Sequence, residues 1–176
     1  QEMLDTLDAR KDVDGMTTAS LGALVTGAAG FAPCTAEACM ELLRAHGIDP
    51  AGRRVTVVGR SLVIGRPAAL LLTRADATVT LCHRKTPDLA ARCREADILL
   101  AAAGAPGLIT RDFVRPGQIV LDAGATALPD GTLRGDVAPD AAAIAVCTPV
   151  PGGIGSVTTA LLLRHTVQAA ENLRQI

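Results

Sequence analysis

The chain has 176 residues, 17 Lys+Arg against 18 Asp+Glu, a formal net charge of -1, and 49% hydrophobic residues. This length suits one ordinary domain with a real core, and the balanced charge argues against nucleic-acid or membrane-surface partners, which call for a basic excess. No stretch reaches the ~18 uninterrupted apolar residues of a membrane span, and Gln1-Glu2-Met3-Leu4-Asp5 has none of the features of a signal peptide, so a cytoplasmic protein is expected.

Residues 1–30 precede any sheet-type strand and read as a separate approach segment, followed by a domain over residues 31–176. Thr35 stands where it can cap a helix that places Cys39, Leu42 and Leu43 on one face, with Gly47 as its left-handed stop. Five apolar runs then recur, at Val55–Val58, Thr78–Leu81, Ile98–Ala101, Ile119–Leu121 and Ala143–Val146. Runs with no polar alternation suit strands covered on both faces. Pro67 fits the first turn of a helix through Leu70, Leu71 and Leu72, and Asp88 to Glu95 supports a shorter one. Pro129-Asp130-Gly131 marks a hairpin-like excursion. The last helix follows Gly155 and sets Ala160, Leu163, Val167 and Ala170 at helical spacing, with Glu171 and Arg174 facing water. Strands alternating with helices predict right-handed crossovers and an α/β, doubly wound parallel sheet whose ligands lie beyond the carboxyl ends of the strands.

The five cysteines, Cys34, Cys39, Cys82, Cys93 and Cys147, form no C-x-x-C pair and read as small buried hydrophobes. No second Cys/His cluster joins Cys82-His83, so no metal site is expected.

The chemistry is expected at the strand ends. Gly59-Arg60-Ser61 through Gly65 and Pro67 forms a strand-to-helix turn, where a glycine permits a tight turn and a helix N terminus offers free amides to phosphate. After the second strand an NAD site places an acid to hold the ribose 2′-hydroxyl. This chain has Cys82-His83-Arg84-Lys85 there instead, with Arg60 nearby, which suits the 2′-phosphate of NADP. Ala102-Ala103-Gly104 and Asp122-Ala123-Gly124 follow the third and fourth strands, and their small residues would let a flat ring lie against main chain. Thr148-Pro149-Val150-Pro151-Gly152-Gly153-Ile154-Gly155 prescribes an unusual backbone path that a plain connection would not need.

Together these motifs resemble the cofactor-binding half of the bifunctional methylenetetrahydrofolate dehydrogenase/cyclohydrolase family. The resemblance rests on Lys11-Asp12-Val13-Asp14-Gly15, Pro33-Cys34-Thr35, Val58-Gly59-Arg60-Ser61 with Gly65 and Pro67, and Ala77-Thr78-Val79-Thr80 with Cys82-His83. Pro116-Gly117, Gly135-Asp136-Val137 and Thr148-Pro149-Val150-Pro151-Gly152-Gly153 complete it, in order, from about residue 11 to 173. It implies a Rossmann-like NAD(P)-binding domain, NADP as hydride acceptor, a tetrahydrofolate substrate and a homodimer. Carried over by position, Asp14 would hydrogen-bond the pterin and Pro151, Gly152 and Gly153 would wall the folate site. Thr35, Gly59, Arg60, Ser61, Ala102 and Thr158 would meet the dinucleotide, to which the strand-end reading adds Arg84 and Gly104 as cofactor-binding residues.

The chain departs from the family at Arg84, where Ser is usual, at Ser20 for Asn, at Ser156-Val157-Thr158 for Pro-Met-Thr, and at Gly124-Ala125-Thr126 for Gly-Ile-Asn. The family's catalytic Tyr-x-x-x-Lys belongs to an N-terminal domain ahead of Lys11. This sequence has no Tyr, and its lysines are Lys11 and Lys85. The chain is therefore read as the downstream part of a longer enzyme, inactive alone, that oxidises methylenetetrahydrofolate and hydrolyses the methenyl product. The competing reading is a stand-alone NADP-binding sensor or partner module without catalysis.

Overall fold

The computed structural model describes residues 1–174. After two short 3-10 turns come α1 (Thr18–Thr26), α2 (Cys34–Ala45), β1 (Arg54–Val58), α3 (Gly65–Arg74), β2 (Thr78–Cys82), α4 (Leu89–Glu95), β3 (Ile98–Ala101) and β4 (Ile119–Asp122). A hairpin of β5 (Thr126–Ala127) and β6 (Leu133–Arg134), then α5 (Pro139–Ala142), β7 (Val146–Cys147) and α6 (Ile154–Arg174) complete the chain. Five strands form a sheet in the order β2-β1-β3-β4-β7, and every pairing in it is parallel. The doubly wound expectation holds.

The sheet is covered on both faces, which is why β3 reads Ile-Leu-Leu-Ala with all four residues buried. Alternate side chains serve alternate layers. Ile98 and Leu100 join Val55, Val57, Leu43, Leu72, Ile154 and Leu161 under α2, α3 and α6. Leu99 and Ala101 join Val58, Val120, Cys93, Val114 and Ala141 on the opposite side, under α4 and α5. All five cysteines are free thiols; four are buried and Cys147 is half-buried. Burial pushes the Cys39 and Cys93 thiols up to about 12, so they act as small apolar groups.

Three expectations about local structure are corrected. Helix α2 starts at Cys34, with Pro33 at its cap position and Thr35 inside the first turn. The capping acceptor comes from a distant residue instead, because Asp14 Oδ1 accepts the Cys34 amide at 3.3 Å. The fifth run, expected as a strand over Ala143–Val146, pairs only from Val146, while Pro139–Ala142 forms α5 and the Ala145 amide still bonds back to the Ala141 carbonyl at 3.1 Å. A short alanine-rich run has no period that separates helix from strand, and the proline at the first helical position decided it.

The third correction concerns α6. Its buried residues are Ile154, Leu161, His165 and Ala169, whereas Leu163 is 65% and Val167 58% exposed. A polar residue, His165, occupies the buried stripe, and this displaced the apparent apolar face by about half a turn. Within residues 1–30, Leu24 of α1 is buried, as are Asp12, Thr17 and Ser20. Asp12 accepts the amides of Met16 at 3.0 Å and Thr17 at 2.7 Å and the Ser20 hydroxyl at 2.6 Å. Burial alone would raise the Asp12 pKa, but these hydrogen bonds, led by Ser20, carry it below the ordinary value.

Candidate functional site

The chain runs from β1 to β2 on one side and then returns to lay β3 on the other, so the strand order reverses beside β1. Beyond the carboxyl ends of strands at such a reversal the loops diverge and leave a crevice. The parallel ladder carries into these loops. The Gly59 amide bonds to the Cys82 carbonyl at 2.9 Å, the Ala102 amide to Val58 at 2.8 Å and the Ala123 amide to Ala101 at 2.8 Å.

At the β1–β2 end of the crevice, Val58 pairs with Cys82, so Arg60 and the His83-Arg84-Lys85 turn emerge from neighbouring strands at one edge. Arg60, Arg84 and Lys85 are exposed, and among the described residues none of the three joins an ion pair. Unpartnered cations beside main-chain amides suit a phosphate dianion, and no acid stands at the end of β2. Ser61 also shapes the turn into α3, because its Oγ accepts the Ile64 amide at 3.1 Å while its O–H remains free to donate.

Toward β4 and β7 the crevice deepens into a cavity of about 440 Å³. Thr35, Asp122, Gly124, Thr158 and the Pro149–Ser156 segment line it, with Val150–Pro151 in the cis form. Pro151, Gly152 and Gly153 therefore share a wall with Thr35 and Thr158, which brings two groups of expected site residues together. The amino end of α6 lines the same space through Ile154, Gly155 and Ser156, and the Ser156 amide is bonded to the Gly153 carbonyl at 3.1 Å. Ala102 is buried at the end of β3, and Gly104 is exposed with a positive φ of 64°. Neither lines this cavity, and the Gly104 amide is already engaged by Asp136 Oδ2 at 3.0 Å. Asp14 lies outside it too; it is exposed, and its bond to the Cys34 amide ties it to the residue just before Thr35.

Several residues with positional roles carried no expectation. Asp122 closes an otherwise apolar strand, and its Oδ1 accepts the amides of Gly124 at 3.0 Å and Asp136 at 2.9 Å, its Oδ2 that of Val137 at 2.9 Å. The signal was an acid at the end of Ile119-Val120-Leu121. His165 is buried on α6, with Nδ1 2.8 Å from the Val13 carbonyl and Nε2 3.2 Å from Glu37, and its ring lies 4.6 Å from that of Phe31. It anchors the Lys11–Gly15 segment across a sequence distance that no local pattern exposes. Gly124, which lines the cavity, is also constrained from within the protein, since a Cβ there would overlap the Asp136 carboxylate.

Residues 33–174 match the family described as tetrahydrofolate dehydrogenase/cyclohydrolase, NAD(P)-binding domain. A curated relative, bifunctional protein FolD 1 of Rhodococcus jostii, is 56% identical over 170 residues, covering 94% of this chain and 57% of the relative. The crystal structure of the bifunctional FolD dehydrogenase/cyclohydrolase of Campylobacter jejuni superposes with a TM-score of 0.92 at 41% identity, over 97% of this chain and 62% of that one. The Trypanosoma brucei methylenetetrahydrofolate dehydrogenase-cyclohydrolase, solved with NADP and inhibitor, gives 0.91 at 38% identity, over 99% of this chain and 63% of that one. The chain thus spans about 60% of the length of these relatives.

Proposed function

The chain belongs to the tetrahydrofolate dehydrogenase/cyclohydrolase family as its NAD(P)-binding domain, and from that premise we propose that it is the NADP-binding portion of an enzyme that oxidises 5,10-methylenetetrahydrofolate and hydrolyses the methenyl product. The observation that carries the NADP reading is the group of unpartnered cations, Arg60, Arg84 and Lys85, at the carboxyl edge of β1 and β2. When bound, the cofactor supplies the hydride-accepting ring. The residues of this chain supply binding and orientation. Arg60, Ser61 and Arg84 hold the phosphate end, Gly59, Ala102 and Gly104 form the main-chain seat, and Thr35 and Thr158 border the cavity at the far end.

Asp14 and the Pro151-Gly152-Gly153 wall stand on the folate side of this scheme, with residues 1–30 as the interdomain segment that carries Asp14. The sequence contains no Tyr, so the group that manages the proton in turnover would have to come from outside these 176 residues. The names of the relatives favour an enzyme part over a sensor module, and assembly as a homodimer follows the same resemblance. The test is calorimetric titration of the chain with NADP and NAD, beside a spectrophotometric assay of methenyltetrahydrofolate formation and decay. Cofactor binding without turnover is expected. Absence of dinucleotide binding would end the proposal, and turnover by the chain alone would end the assignment of proton handling to groups outside it.

A further inference from the structure

Asp136 is fully buried, belongs to the Gly135-Asp136-Val137 motif and has no part in the scheme above. Its carboxylate is the meeting point of three consecutive amides from the loop after β3. Oδ2 accepts Ala103 at 2.6 Å and Gly104 at 3.0 Å, and Oδ1 accepts Ala105 at 2.8 Å. Consecutive amides converging on one anion form a nest, the arrangement by which loops bind phosphate. Here the protein's own carboxylate fills the nest, so the loop is shaped from within.

Asp136 is itself held in place. Its amide donates to Asp122, and its carbonyl accepts the Ile109 amide at 2.9 Å. Asp122 is anchored in turn, since its amide donates to Thr148 Oγ1 at 2.8 Å. Gly124 and Gly135 complete the arrangement, because a Cβ on the first would overlap Asp136 and one on the second the Asp122 carboxylate. The loops after β3, β4 and β6 are therefore joined through two side chains, Asp122 and Asp136, and the Thr148 hydroxyl ties the start of the loop after β7 to the Asp122 amide.

We propose that Asp136 is a positioning residue for cofactor binding, which fixes the Ala102–Ala105 main chain on which the nicotinamide-bearing half of the dinucleotide rests. The inference depends on the NADP reading. The adenosine half, with its 2′-phosphate, belongs at Arg60 and Arg84 beside β2. The other half must cross the strand-order reversal toward β3 and β4, and the loop that starts at Ala102 is the first main chain it meets beyond β1. Asp136 touches no ligand in this scheme; it acts through the amides it holds.

The experiment compares NADP with 2′,5′-ADP, which carries only the adenosine half, on the wild-type chain and on Asp136→Asn. Asparagine keeps the shape but turns one acceptor into a donor facing an N–H. NADP affinity is expected to fall about tenfold or more while that of 2′,5′-ADP changes less than about twofold, in line with the cost of misplacing a seat by about an ångström. Equal losses for both ligands would mean a general structural role and overturn the proposal, as would no loss for either. If the wild-type chain binds neither ligand, the NADP reading itself fails. Should the variant not fold, hydrogen exchange on the wild-type chain decides. The Ala103, Gly104 and Ala105 amides are expected to be protected without ligand although Ala103 and Gly104 are exposed residues, and unprotected exchange would overturn the proposal.

Discussion

Gly59 and Ala102, at the ends of neighbouring strands β1 and β3, stand so close that a Cβ on Gly59 would overlap the Ala102 carbonyl. Gly59 also has a φ of 121°, a conformation that L side chains rarely adopt. Its glycine is demanded by the protein before any ligand arrives. Gly59→Val is therefore expected to destabilise the domain by about 2–4 kcal/mol through combined strain and overpacking, rather than leave it folded and merely unable to bind. Urea unfolding of the two chains measures this, and an unchanged midpoint would refute it.

NADP is expected to bind at least tenfold tighter than NAD, because Arg60, Arg84 and Lys85 occupy the edge where an NAD site carries an acid. One charge-assisted contact to phosphate, at roughly 1.5–3 kcal/mol, suffices for that ratio. The double variant Arg84→Ala, Lys85→Ala should bring the two affinities closer together. Calorimetry provides the check, and equal wild-type affinities would contradict the assignment.

The two faces of α6 make opposite predictions. Leu161 is 3% and Leu163 65% exposed. Leu161→Ala should cost about 2–5 kcal/mol, the usual penalty for a buried leucine, whereas Leu163→Ala should stay within about 0.5 kcal/mol. Thermal denaturation of the isolated chain distinguishes them.

Asp97 lies just ahead of β3, at the amino end of the sheet and away from the crevice. Hydrogen bonds from Arg54, side chain first and then amide, hold its carboxyl at about 2, and Arg115 adds attraction. A carboxyl depressed on folding stabilises the native state above its ordinary range near ~4 and loses that contribution as pH falls toward 2. Asp97→Asn should flatten the acid limb of the stability profile between about pH 4 and 2. At neutral pH the melting temperature should drop by no more than a few degrees, because the paired arginines are well exposed. Asp8 beside Arg10, also held at about 2, retains part of the limb in the variant. A steeper acid limb in Asp97→Asn would show that the sign is wrong, and NADP affinity should be unaffected.

Burial on both faces made β1, β3 and β4 legible, because no polar residue interrupts Ile98–Ala101 or Ile119–Leu121, whereas β2, mostly exposed at the sheet edge, was marked by its β-branched residues. The basic turn after β2 was legible for a different reason: a parallel pairing places neighbouring strand ends side by side, so the segments carrying Arg60 and Arg84 leave the sheet at one edge without any knowledge of helix packing. The family motifs, being local runs, were equally open to inspection. Tertiary structure decided what lies far apart in sequence. The buried face of α6 turns on His165, whose polarity disguises it until Val13 and Glu37 are seen to satisfy its ring. The start of α2 depends on Asp14, 20 residues away, and the shape of the loop after β3 on Asp136, more than 30 residues downstream of the amides it gathers. Periodicity records which residues avoid water; it carries no record of which distant carboxylate completes a particular set of amides, because that partner is selected only when the chain has closed upon itself.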